Sequence, residues 1–115
     1  MMNLNLEKTY LYAEGQWKTY RYDIFEDGVK VGDATVVEPS EDGNDETYLE
    51  YIEINKEFRN KGIGSEAIKD IANKYWFLFF AALDENSARL YDRIANHYEV
   101  NTPEVDQGYG VYYIN

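Results

Sequence analysis

The sequence predicts an α+β domain: a mixed sheet of about six or seven strands, closed by an α/β crossover, with two main helices. Three observations carry this reading. Apolar and polar residues alternate at a period of two through the first half of the chain. An Asp27-Gly28 pair separates two such runs, and the apolar period becomes helical at Ile63.

Taken in order, Leu6 to Tyr12 is dense enough in apolar and aromatic residues for a strand, and Glu14-Gly15-Gln16 reads as a turn. In the next strand Trp17, Thr19, Arg21, Asp23 and Phe25 alternate with Lys18, Tyr20, Tyr22 and Ile24. Asp27-Gly28 is a hairpin signal, because both residues tolerate the positive φ of a type I′ turn. A third strand covers Val29 to Val37. Glu38 to Thr47 is a loop by composition: five carboxylates, a proline, a glycine and no apolar side chain.

Tyr48 to Ile54 resumes the strand pattern. Strict alternation places Leu49, Tyr51 and Glu53 on one face, and Tyr48, Glu50, Ile52 and Ile54 on the other. Ile63, Ala67, Ile68, Ile71, Ala72 and Tyr75 then form a helical stripe, with Glu66, Lys69, Asp70, Asn73 and Lys74 towards water. Trp76 to Leu83 is almost unbroken apolar sequence, as a strand covered on both faces requires. Ser87, Tyr91, Ile94, Ala95 and Tyr98 define a second helix over Ser87 to Tyr98. Tyr109 to Ile114 makes a last strand, approached through Pro103 and Gly108. The order is β-β-β-β-α-β-α-β, in which the crossover requires a right-handed parallel pairing.

At 115 residues the chain is one domain, residues 1–115, with no repeat and no internal linker. It has no cysteine, which excludes a disulfide scaffold and a thiolate metal site. Its single histidine disfavours a zinc centre, so no metal is expected. Met1 to Lys8 lacks an apolar signal region, and no stretch approaches the ~20 apolar residues of a membrane span. A cytoplasmic location follows as the default. The net charge of −11 repels nucleic-acid phosphates and anionic lipid and favours basic partners, amines or lysine-rich protein surfaces. The same acidity also serves plain solubility.

The informative stretch is Ile52-Glu53-Ile54-Asn55-Lys56-Glu57-Phe58-Arg59-Asn60-Lys61-Gly62-Ile63-Gly64-Ser65. A strand ends, a short loop turns, and an amphipathic helix begins at two glycines. Helix N-termini present unpaired N–H groups and the positive end of the dipole, which together suit an anion. Glycine removes the Cβ atoms that would hold phosphate oxygens off those amides. Arg59 and Lys61 give the loop a charge opposite to that of the whole chain. The spacing is neither GxxxxGK[ST] nor GxGxxG, which excludes a Walker loop and a dinucleotide fingerprint. Without further context, the loop is a basic turn at a helix start.

Glu-Phe-Arg-Asn-Lys-Gly-Ile-Gly-Ser resembles the pyrophosphate loop of the GNAT family of acyl-coenzyme A N-acetyltransferases, with Ile52-Glu53-Ile54 matching the strand before it. Asp84-Glu85-Asn86-Ser87-Ala88-Arg89-Leu90-Tyr91 is similar to the family's second motif, in the family's order. The resemblance covers Tyr48 to Tyr98. It implies a sheet splayed between the fourth and fifth strands, with acetyl-coenzyme A as co-substrate in the opening. It implies main-chain contacts from Ile52, Glu53 and Ile54 to the pantetheine arm. Arg59, Asn60, Lys61, Gly62, Ile63, Gly64 and Ser65 would hold the pyrophosphate. Tyr91 falls on the tyrosine that protonates the departing thiolate in many members, although it also lies on the apolar stripe of its helix.

The chain departs from the pattern in three places. Asp84 stands where an asparagine is usual, which makes Asn86 the candidate replacement for its contact. Asn96-His97-Tyr98 replaces a Gly-Phe pair, and His97 reads as a helix-end residue. Only a short turn separates the first two strands, where the family places two acceptor-binding helices. The substrate side is therefore expected to be open, which suits a macromolecular acceptor or a site completed by a second copy in a homodimer. A general base must free the attacking amine of its proton. Glu50 and Glu53 are the candidates, Glu50 first because alternation gives it the face of Ile52 and Ile54. Two functions remain: transfer of acetyl to an amine such as a protein lysine, or a non-catalytic member acting through coenzyme A binding or protein contact.

Overall fold

The computed structural model describes residues 2–39, 47–75, 78–81, 97–99 and 111–114. Among these residues seven strands form one sheet in the order β1-β2-β3-β4-β5-β7-β6, comprising β1 (Leu4–Glu14), β2 (Trp17–Glu26), β3 (Val29–Pro39), β4 (Thr47–Ile54), β5 (Leu78–Ala81), β6 (His97–Glu99) and β7 (Val111–Ile114). A 3₁₀ turn over Lys56–Phe58 and the helix α1 (Ile63–Ala72) lie between β4 and β5.

The first four strands are an antiparallel meander, and local chemistry makes its turns. Asp27 and Gly28 take φ of 50° and 82°, the type I′ geometry expected of them. At the first turn Gly15 has φ 59° and Gln16 stays on the negative side, the type II′ pattern with glycine first. β4 and β5 pair in parallel, as a crossover through α1 requires, and β5, β7 and β6 continue antiparallel.

The apolar stripe of α1 seals one face of the sheet in two adjoining patches. Ile63 and Ala67 pack with Ile24 and Val31, flanked by Met2, Leu4, Ile54 and Phe58. Ile68, Ile71 and Ala72 pack with Tyr22, Ala34, Val36, Leu49 and Leu78. Leu6 and Ile52 touch both. Each fully buried isoleucine contributes roughly 1.5–3 kcal/mol, so this seam is what fixes α1 on the sheet.

β4 departs from strict alternation. Val36 faces Leu49 and Thr35 faces Tyr51, so Glu50 is an extra residue, a β-bulge. Without it Leu49 would point away from Ile52 and Ile54; with it all three join the core packed under α1. Glu50 is exposed and does not share the packed face of Ile52 and Ile54, which corrects the alternation expected from sequence. A second close fit lies at Gly32, opposite Ile54. A Cβ there would stand 2.3 Å from the Glu53 carbonyl oxygen and 3.0 Å from Ile54 Cα, so β4 can approach β3 this closely only over glycine.

The far end of α1 is held by polar contacts. Tyr22 donates to the Tyr75 hydroxyl at 2.7 Å, and Tyr75 donates to Glu38 at 2.5 Å. Lys8 closes the chain on Glu38 at 2.6 Å, its ammonium 4.1 Å from the centre of the Tyr20 ring. Burial, and then the hydrogen bonds to Glu38 and Tyr22, raise the Tyr75 phenol far above its ordinary range. No helix among the described residues is long and apolar enough to cross a membrane.

One expectation is overturned at the end of the second predicted helix. His97 and Tyr98 lie in β6, paired with Tyr113 and Tyr112, and are not a helix end. Cross-strand pairing of β-favouring tyrosines outweighs the helical spacing of the segment. The rest of that helix, including Tyr91, lies outside the described residues, as do Asp84 and Asn86 before it.

Replacing Gly32 with alanine forces β4 away from β3, so denaturant unfolding should show a loss of about 1–3 kcal/mol; an unchanged midpoint would contradict the close approach. A phenol raised in the folded state stabilises fully below its unfolded value of 10.0 and loses that contribution above it. Stability should therefore be level near neutrality and fall beyond about pH 10. Tyr75→Phe should cost about 1–3 kcal/mol at neutral pH and flatten the alkaline limb.

Candidate acyl-coenzyme A site

The site grows from the end of β4. Asn55 donates its N–H to the Val31 carbonyl at 2.7 Å, so this end of the strand is still tied to β3. With a period of two, the N–H and C=O groups of Ile54 and Ile52 then point to the opposite edge of β4. Among the described residues no strand pairs with that edge beyond Tyr48. The parallel pairing with β5 consists of Thr47 with Leu78 and Tyr48 with Phe79, and past Tyr48 the described strands part. The N–H and C=O of Ile52 and the N–H of Ile54 thus face an opening, while the Ile54 carbonyl accepts from Arg59. By the same alternation the N–H and C=O of Glu53 turn to β3, so Glu53 can meet a ligand in the opening only through its side chain.

The turn beyond β4 is built by backbone bonds. Phe58 N–H reaches the Asn55 carbonyl at 2.9 Å, and the Arg59 guanidinium donates from Nε to the Ile54 carbonyl at 2.7 Å. Arg59 therefore ties the loop to the strand and retains its two Nη groups as further donors. Asn60 and Gly62 both take left-handed conformations, φ 63° and 82°. Asparagine and glycine are the residues that enter this region at least cost. The double left-handed step turns the chain into α1, whose first helical bond runs from Glu66 N–H to the Gly62 carbonyl at 3.1 Å.

The amides of Ile63, Gly64 and Ser65 precede that bond and have no partner within the helix. Gly62, at the capping position, offers no side chain to them. Ile63 is buried and anchors the turn, while Asn60, Lys61 and Gly62 are exposed. Lys61 lies 5.8 Å from the Phe58 ring centre, which places its charge beside the turn. The result is three amides with no backbone partner among the described residues, a dipole end and two cations on an otherwise acidic molecule. Phosphate chemistry fits this donor set, and an acyl-coenzyme A joins a pyrophosphate to an amide-bearing arm of the kind the free edge of β4 can hydrogen-bond.

Ile52, Ile54 and Arg59 to Ser65 are thus brought together as one surface. Glu50 and Glu53 are exposed near its inner part. Asp33 faces Glu53 across the strands, and slight desolvation and then the neighbouring Glu53 carboxylate raise the phenol of the exposed Tyr51. Asn86 and Tyr91 lie outside the described residues, so their relation to this surface is not described. Sequence reasoning missed the bulge at Glu50, whose signal is the phase break from Leu49 to Ile52 and Ile54. It missed Tyr51 as well, which alternation alone marks as an ordinary strand residue.

A family model described as the acetyltransferase (GNAT) family matches residues 4–95. No curated protein matches. Among solved structures, a GNAT-family acetyltransferase from Desulfovibrio desulfuricans superposes with a TM-score of 0.62 at 14% identity, over 84% of this chain and 68% of that one. A GNAT-family acetyltransferase from Elizabethkingia anophelis with acetyl-CoA bound gives 0.61 at 12% identity over 98% of each chain. Arabidopsis thaliana Naa50, in complex with a bisubstrate analogue joining CoA to an acetylated peptide, gives 0.56 at 13% identity over 83% of this chain and 72% of that one. At these identities the likeness is one of fold, and it includes a protein of matching extent with acetyl-CoA bound. With the family model spanning most of its length, the chain belongs to the GNAT acetyltransferase family.

Proposed function

We propose that the chain is an N-acetyltransferase that takes the acetyl group of acetyl-coenzyme A and passes it directly to an amine, with a basic protein surface as acceptor. One observation carries the reading: the unspent amides at the start of α1 adjoin a β4 edge that β5 has left free. An anion at one end and an amide-bearing arm along the strand is the shape that pair of features accepts.

In this reading Arg59 to Ser65 hold the pyrophosphate, and the groups of Ile52 and Ile54 orient the arm. Glu50 or Glu53, directly or through water, takes the proton from the attacking amine. The amine nitrogen bonds to the acyl carbon, the carbon–sulfur bond breaks, and Tyr91 gives its proton to the leaving sulfur. Glu50 stands at the bulge beside the point where the strands part, and it is exposed and reachable. The acceptor side is open in this reading because Gly15-Gln16 alone joins β1 to β2 and leaves Tyr10, Leu11, Tyr12 and Trp17 exposed. That surface and the net charge of −11 suit a basic macromolecule, or a second copy that completes the site. The cytoplasm would supply both acetyl-coenzyme A and such acceptors.

A second reading, coenzyme A binding without transfer, is favoured by Asp84, a carboxylate in the position of a usual amide donor. Both readings require cofactor binding. Calorimetry should show acetyl-coenzyme A and coenzyme A binding to the wild type. Gly64→Val should weaken both more than tenfold with an unchanged melting temperature, since a side chain over the amides blocks the phosphate while a helix tolerates valine. No binding by the wild type would overturn the proposal. Binding without acetylation of any lysine-rich substrate would select the second reading.

A further inference from the structure

The helix α1 packs on the sheet face that bears Tyr22, Ala34 and Ile52. Residues next to these in sequence turn to the other face, and no described helix packs on that face over β1 to β4. The register there sets one carboxylate of each strand on a single rung. Glu7 of β1 faces Asp23 of β2, Asp23 faces Asp33 of β3, and Asp33 faces Glu53 of β4. Like charges directly opposite one another destabilise a sheet. Arg21 and Lys30 each approach Asp23 at 3.1 Å, but no ion pair among the described residues serves Glu7, Asp33 or Glu53. The Tyr51 phenol, one rung away, is raised by slight desolvation and then by Glu53 and Asp33. A face left only to water would interleave the two signs, as Arg21 and Lys30 do around Asp23. The rest of the rung does not.

The same face also presents aromatic rings. Tyr12 faces Thr19, Trp17 faces Glu14 and Tyr51 faces Thr35, which sets all three on the carboxylate side of the sheet. They are 50%, 40% and 45% exposed, more than a ring placed for packing within the chain would be. Rings in this setting offer apolar anchorage and attract ammonium and guanidinium groups. Three inter-strand spacings separate β1 from β4, about 14 Å in all. A helix of about 10–12 Å diameter can lie along that width. The rung ends at Glu53, next to the free groups of Ile52 and Ile54.

We propose that this face is a docking surface for a lysine- or arginine-rich segment of a partner protein. The partner's cations lie along Glu7, Asp23, Asp33 and Glu53, and its apolar side chains meet Tyr12, Trp17 and Tyr51. The proposal rests on and deepens the reading that the acceptor is a basic protein surface, because a segment held on the rung is led to Glu53 at the rim of the opening. It also explains why the repulsion along the rung is kept: the carboxylates without an ion pair gain counter-ions in the complex.

The test titrates a blocked helical peptide of lysine and leucine, its leucines in one stripe, into the cofactor-free protein by calorimetry at low and high salt. The wild type should bind it, more weakly as salt rises, and should not bind the same peptide with glutamate for lysine. Glu7→Gln combined with Asp33→Asn should weaken binding about three- to tenfold, the loss of two exposed charge pairs. That variant should melt no lower than the wild type, since the rung loses repulsion, and should bind acetyl-coenzyme A unchanged. Trp17→Ala should also weaken the peptide. Glu66→Gln combined with Asp70→Asn removes the same charge from α1 and should leave peptide affinity within about twofold. Equal weakening by the two double variants would reduce the effect to net charge and overturn the assignment. So would self-association of the wild type that Trp17→Ala abolishes, without peptide binding, which gives the face to a second copy. A wild type that binds acetyl-coenzyme A but no peptide overturns the docking surface and leaves the acyl-coenzyme A reading intact.

Discussion

β4 is held by β3 along most of its length and by β5 for two residues only. The remainder of the strand needs its apolar side chains under α1 and leaves one row of backbone groups without a strand partner among the described residues. The bulge at Glu50 reconciles these demands. It shifts the phase so that Leu49, Ile52 and Ile54 all serve the core, and bulges bend and twist the strand that carries them. Gly32 completes the arrangement by letting β3 press against the end of β4, so the strand stays fixed by one neighbour after leaving the other. Free backbone groups that remain rigid are what an extended polar ligand requires, because little ordering cost is left to binding.

The same strand sets the electrostatics. Its C-terminal end feeds a turn in which Arg59 grips the Ile54 carbonyl, and two left-handed residues aim the start of α1. The seam of Ile63, Ala67, Ile68 and Ile71 holds the helix at that angle. At its other end the chain of hydrogen bonds from Tyr22 through Tyr75 to Glu38 and Lys8 anchors the residues that follow the helix. The helix dipole is thereby directed at a fixed point by packing at one end and polar contacts at the other. On a molecule with a charge of −11, such a local inversion of sign concentrates an anion where little else would attract it.

Much of this was legible in the sequence where the cause is local. Asp27-Gly28 carries its own turn geometry, and Gly62 with the following stripe marks a helix start. The resemblance of the loop to a known family needed only contiguous residues. What was not legible depends on partners far along the chain. The parting of β4 from β5 is a fact about pairing, not about either strand's composition. Glu38 meets Lys8 from 30 residues away. Tyr98 fits a helical spacing and His97 a helix end, yet both belong to a strand, because β7 offers them partners. The bulge at Glu50 lies between these cases: the phase break was visible, but strict alternation was the simpler pattern. The rung of Glu7, Asp23, Asp33 and Glu53 could not be anticipated, since each is an ordinary polar strand residue until the register is known.

Amide NMR of the assigned protein during titration with acetyl-coenzyme A tests the central claim most directly. The account predicts that the signals of Ile52, Ile54, Ile63, Gly64 and Ser65 move together to one saturation point, while those of Thr9 to Ala13 in β1 stay in place. Shifts centred elsewhere, or a loop that responds without the β4 edge, would contradict it.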